Sequence, residues 1–218
     1  DDSVRPHLEA LAGQLDRWTE LVQLYRDEVE RIDVSAIRLD VLLTIARLYH
    51  GEIEDLEAAQ AFYNDVLAID AAHAASLDAL EEIYQLLERH DDLLQVYERK
   101  IELATEDETR LRYLFDACRL WRDQLANPDE AIGAAMRVLD IDPGNKEALQ
   151  LLDELYQTNE RWDDLGDTLK RLIDLAEETG QVVNLQVRLA LVQENRLEDV
   201  EAAIRTWAAI LGLGPVHR

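Results

Sequence analysis

The chain of 218 residues carries 47 acidic and 22 basic side chains, a formal net charge of −25, and 48% of its residues are hydrophobic. So negative a field repels nucleic-acid phosphates and anionic lipid surfaces, and no apolar run approaches the ~20 residues that span a bilayer. A single cysteine, Cys118, excludes an internal disulfide and any multi-cysteine metal site.

Breakers are few, with eight Gly and four Pro, whereas Leu, Ala, Glu and Arg abound, all good helix formers. The expected fold class is all-α. Apolar stripes at helical spacing place helices at about 5–15, 18–31, 38–50, 55–69, 74–88, 91–104, 109–123, 128–141, 146–159, 162–178, 182–195 and 198–212. Between them lie turn residues such as His50-Gly51, Asn127-Pro128 and Asp142-Pro143-Gly144-Asn145. Twelve helices then form six antiparallel pairs, at about 5–31, 38–69, 74–104, 109–141, 146–178 and 182–212.

The pairs repeat at a longer period. Segments opening at Arg17, Arg89 and Arg161 resemble one another and lie 72 residues apart (89 − 17 and 161 − 89). At the same offset, residues 38–85 and 110–157 align without a gap and share 15 identities in 48 positions, against about four by chance in so skewed a composition. Residues 1–218 are therefore expected to form a single array of three 72-residue double hairpins. Small residues at Ala46, Cys118 and Ala190 keep that spacing, as do Pro143 and Pro215.

These features resemble the tetratricopeptide repeat family. Leu149, Leu152, Tyr156, Trp162, Leu165 and Leu169 follow its pattern without insertion. Residues 130–145 look like its second helix and closing proline turn. The hairpin period averages 36 residues rather than 34, with the added length in the turns at 51–55 and 123–128, and Leu93 and Leu165 replace a small residue of the second helix. The resemblance implies a right-handed α-α superhelix, an α-solenoid, that binds protein or peptide partners in a groove lined by the first helix of each pair. Carried across residue by residue, it offers Asp40, Leu43, Arg47 and His50; Asp78, Glu82 and Gln85; Arg112, Phe115, Arg119 and Arg122; Glu147, Gln150, Glu154 and Gln157; and Asn184, Val187, Leu191 and Glu194. The strongest candidates are Arg47, His50, Arg112, Phe115, Arg119, Arg122, Glu154 and Gln157.

Arg112, Arg119 and Arg122 share one helical face. They either dock acidic groups of a partner, by bidentate bonding, or pair internally with Glu82, Glu147 and Glu154. No histidine pair stands at metal-ligand spacing, no phosphate-cradling glycine loop occurs, and the carboxylates read as solvated helix ends. No cofactor, metal or catalytic role is expected, so the chain is read as a non-catalytic interaction scaffold. A self-assembling helical array, or a regulatory arm of a larger protein, is the alternative. An opening at Asp1-Asp2 without Met suggests a processed or excised fragment, and an end at Gly212-Leu-Gly-Pro215 without a polar cap suggests that further repeats follow. One cysteine fits the cytoplasm without excluding a secreted or periplasmic location. Three lysines beside many Ala and Arg suggest a GC-rich bacterial source.

Overall fold

The computed structural model describes residues 4–212, which contain twelve α-helices and no strand. In chain order they are α1 (Val4–Leu15), α2 (Trp18–Val29), α3 (Ser35–Leu48), α4 (Leu56–Ile69), α5 (Ala74–Leu86), α6 (His90–Leu103), α7 (Asp107–Asp123), α8 (Pro128–Ile141), α9 (Lys146–Thr158), α10 (Trp162–Leu175), α11 (Thr179–Asn195) and α12 (Val200–Gly212). Helix starts recur at 72 residues: 18, 90 and 162; 35, 107 and 179; 56, 128 and 200; 74 and 146. Helices α3, α7 and α11 begin two or three residues before the expected 38, 109 and 182. Each follows an extended residue, Val34, Glu106 or Glu178, whose side chain makes no cap. No side-chain cap marks the start, and Ser35, Asp107 and Thr179 are already the first helical residues rather than caps.

Two turn types alternate. Within the first, third and fifth pairs the chain turns through a left-handed residue, Asp16, Glu88 or Glu160. The next amide, of Arg17, Arg89 or Arg161, then donates 2.9 Å to the carbonyl of Ala12, Tyr84 or Tyr156. Within the second, fourth and sixth pairs the left-handed residues are Glu54, Ala126 and Glu198. The amides of Asp55, Asn127 and Asp199 donate 2.9 Å to the carbonyls of Tyr49, Trp121 and Gln193. The same three side chains then cap the next helix, accepting from the amides of Ala58, Glu130 and Ala202. This wide turn, which in the second pair includes a π-helical segment at Tyr49–Ile53, accommodates the added length.

Small residues set the close crossings. Ala46, Cys118 and Ala190 are buried in α3, α7 and α11, and Ala59, Ala131 and Ala203 are buried in α4, α8 and α12, again at 72-residue steps. The Cys118 thiol donates to the Ala131 carbonyl at 3.1 Å, and burial pushes its pKa up to about 11. It is a packed, unreactive thiol.

Within each compact unit the second helix of one pair is covered by the first helix of the next, α2 by α3 and α4 by α5 in one, α8 by α9 and α10 by α11 in the other. Arg89 and Arg161 lock two of these seams, reaching back to Glu57 at 3.7 Å and to Asp129 at 3.5 Å. The four tryptophans are only half-buried. The chain divides into two compact units, Asp1–Leu103 and Ala104–Arg218.

Cys118→Ala should leave stability within about 1 kcal/mol, because alanine fills the equivalent place in α3 and α11, while Cys118→Leu should cost about 1–3 kcal/mol by overpacking. Urea unfolding followed by circular dichroism measures both. Asn127→Ala should cost about 1 kcal/mol through the lost cap, read the same way.

Candidate interaction face

In the second unit, the first helices α7, α9 and α11 share a face that cross-helix ion pairs stitch together. Arg119 Nη2 lies 3.1 Å from Glu147, and Arg122 Nη1 lies 3.9 Å from Glu154. Arg188 on α11 makes two 2.7 Å bonds to the two carboxylate oxygens of Asp153 on α9, and a third, of 2.8 Å, to Gln157. Asp153 is itself buried, so this fork holds α11 against α9 more firmly than the exposed pairs, which contribute little.

The arginine cluster is thus engaged within the chain. Arg119 also bonds Asp116, and its guanidinium lies 6.0 Å from the Phe115 ring centre. Arg122 bonds Asp123 through two nitrogens, which holds the Asp123 carboxyl below its usual pKa and raises that of Arg122. Arg112 stacks over Tyr113 at 4.5 Å. Glu147 and Glu154 are the internal partners expected of them. Glu82 is not: it faces His50 Nε2 at 3.9 Å in the first unit. His50–Glu82 and Arg122–Glu154 are the same pair, one period apart.

In the first unit, Arg5 on α1 pairs with Asp40 on α3, and Arg47 is exposed on α3. Leu43 is not a groove residue; it is buried, because α3 is covered on most of its circumference, with Val41, Leu42, Ile45, Ala46 and Leu48 buried as well. Asp78, with Glu81, is bound by the buried Lys100 of α6. Burial alone would lower the Lys100 pKa, but hydrogen bonds to the two carboxylates outweigh it and the net shift is upward.

A crevice of about 360 Å³ opens between α9, α10 and α11. Leu172, Leu175 and Leu185 give it apolar walls, while Lys146, Gln150, Gln181, Asn184 and Arg188 give it polar ones. Gln150 and Asn184 stand among the residues carried over from the family pattern. Arg188, Asp153 and the leucines were missed; the visible signal was Arg188 one turn beyond Asn184 on the same helix. Among the described residues no group of three or more His, Cys, Asp and Glu side chains is placed to hold a metal ion, and no helix is long and apolar enough to cross a membrane.

A family model for the tetratricopeptide repeat matches residues 76–111, spanning α5, α6 and the start of α7. No curated protein matches. Among solved structures, the chain is similar to YrrB, described as a TPR protein with an unusual peptide-binding site, at 15% identity over 81% of this chain and 87% of that one, with a TM-score of 0.43. It is similar to MamA at 16% identity over 75% and 91% of the two chains, with a TM-score of 0.43. A tetratricopeptide repeat protein from Parabacteroides merdae is 13% identical over 96% of this chain and 78% of its own, also with a TM-score of 0.43. The helix pairs in their 72-residue register make the described chain an all-α helical repeat, within which residues 76–111 match the tetratricopeptide repeat model.

Proposed function

We propose that the chain is a non-catalytic scaffold that receives an extended segment of a protein partner on the face of its first helices. The receiving residues are Arg47 and His50 in the first unit and Arg112, Phe115, Arg119, Arg122, Glu154 and Gln157 in the second. The 72-residue register running through both units supports reading residues 1–218 as one repeat array.

The crevice between α9, α10 and α11 carries this reading. Gln150, Gln181 and Asn184 are exposed, and among the described residues no hydrogen bond engages their carboxamides. A carboxamide offers both a donor and an acceptor, the pair that an extended backbone presents in complement. Apolar walls beside free amides suit a peptide that buries a side chain and bonds its main chain. Glu147 and Glu154 are already paired with Arg119 and Arg122, so this reading rests on the carboxamides and the apolar walls rather than on either sign of charge.

The test is selection from a random-peptide display library on the intact chain, followed by titration calorimetry. Selected peptides should lose affinity at least about tenfold, or about 1.4 kcal/mol, on Gln150→Ala combined with Asn184→Ala. Failure to select any peptide, or selected peptides indifferent to that double change, contradicts the reading.

A further inference from the structure

One groove of the repeat is filled in the first unit and open in the second. In the first unit it lies between α2, α3 and α4, and the chain fills it with its own side chains. Val22 of α2 is completely buried. Tyr49, in the turn after α3, stacks on Phe62 of α4 with ring centres 5.6 Å apart and planes 13° apart. Arg26 of α2 lies over the Phe62 ring at 5.8 Å. The next helix, α5, packs on α4, so the filling of this groove does not come from the next pair.

Two 72-residue periods later, Gly166, Gln193 and Thr206 take the places of Val22, Tyr49 and Phe62. A crevice of about 590 Å³ stands there between α10, α11 and α12, and all three residues line it. The intermediate copies of the first two, Leu94 and Trp121, keep an aliphatic and an aromatic side chain. Nothing in the backbone demands the glycine. A Cβ added to Gly166 would meet nothing closer than Leu197 Cδ1 at 3.8 Å. Glycine inside a helix destabilises it relative to alanine, so Gly166 weakens α10 and leaves space.

The space holds uncommitted polar groups. Gln193 is only 7% exposed. The Thr206 hydroxyl donates to its Oε1 at 2.7 Å, and among the described residues no hydrogen bond engages its carboxamide nitrogen. Gln186, which also lines the crevice, has a buried carboxamide oxygen without a partner. Buried groups of this kind cost stability until something bonds them. Around the crevice stand four carboxylates, Asp163, Asp167, Asp174 and Asp199, against Lys170 and Arg205. Lys170, at the place of Arg26, is held by Asp167 at 2.8 Å, and Asp199 caps α12. Asp163 and Asp174 remain, both exposed.

We propose that this crevice is a second docking site, which takes a tyrosine side chain of a protein partner with a basic residue beside it. The partner brings the ring and the cation that Phe62 and Arg26 supply in the first unit. Leu189 and Leu197 give the ring an apolar bed. The phenol hydroxyl both donates and accepts, so it can bond either carboxamide, and the basic neighbour meets Asp163 or Asp174. The site shares no residue with the crevice between α9, α10 and α11 and does not rest on the reading given for that one.

The experiment is a titration of the isotope-labelled chain, followed by proton–nitrogen correlation NMR, which registers weak binding and locates it. The probes are a capped Gly-Lys-Tyr-Lys-Gly peptide, its counterpart with leucine for tyrosine, and its counterpart with glutamate for both lysines. The tyrosine peptide should shift the amide signals of Gly166, Gln193 and Thr206 saturably, and the other two should bind at least about tenfold more weakly. Gly166→Val combined with Thr206→Phe restores the filling of the first unit without changing any charge, and should abolish the shifts. Should circular dichroism show that this pair loses its helices, Gly166→Ala alone, which adds one methyl group at van der Waals distance, should weaken binding. Gln150→Ala combined with Asn184→Ala should leave it unchanged. No shift at those residues up to the solubility limit of the tyrosine peptide overturns the proposal. So does undiminished binding to the filled variants, which marks general attraction of a basic peptide to an acidic chain. Equal binding of the leucine or glutamate peptide overturns it too, as does loss of binding on Gln150→Ala with Asn184→Ala, which places the peptide in the other crevice.

Discussion

A helix pair of this kind cannot cover its own second helix. The apolar stripe facing away from the hairpin stays wet until the first helix of the next pair closes over it, and the rest of the structure depends on that closure. Ile132 and Leu139 are buried and Ile204 and Leu211 exposed, although the two pairs share one register. The difference is the neighbour and not the residue. Stability in such an array is close to a sum over pairs and the seams between them, so the arginines that bridge the seams, Arg89 and Arg161, set register as well as adding modest electrostatic attraction.

The same closure explains why so acidic a chain uses so many of its cations internally. Arg119, Arg122 and Arg188 reach from one first helix to the next, and Lys100 is buried between two carboxylates. The acids in excess lie on the outside. The proposed interaction face therefore presents ion pairs of alternating sign with carboxamides beside them, a surface suited to hydrogen bonding an extended chain.

Most of the fold was legible because the repeat writes each structural cue three times. Arg17, Arg89 and Arg161 mark one turn type, and Asp55, Asn127 and Asp199 mark the other and cap the helix after it. Where the cue is backbone alone, the sequence is silent. The starts of α3, α7 and α11 carry no side-chain cap, and the π-helical segment at Tyr49–Ile53 has no compositional signature. The face was legible in part. Pattern put Arg119 and Arg122 on one helical face and suggested the pairing with Glu147 and Glu154 that the structure shows. Leu43 was misplaced because family spacing assumes one outward face per first helix, whereas α3 is buried on most sides. The Asp153–Arg188 fork joins residues 35 apart, and nothing local announces which acid an exposed arginine will find.

The central claim is that order in this chain comes from neighbouring pairs. Native-state hydrogen exchange on dilute protein tests it most directly, because each amide reports the opening of its own segment. The account predicts the slowest exchange in α9, which is covered on both sides, and the fastest in α1 and α12, with protection rising inward from each. Protection in α1 and α12 equal to that of α9 would contradict it, since those helices would then owe their order to something other than the next pair.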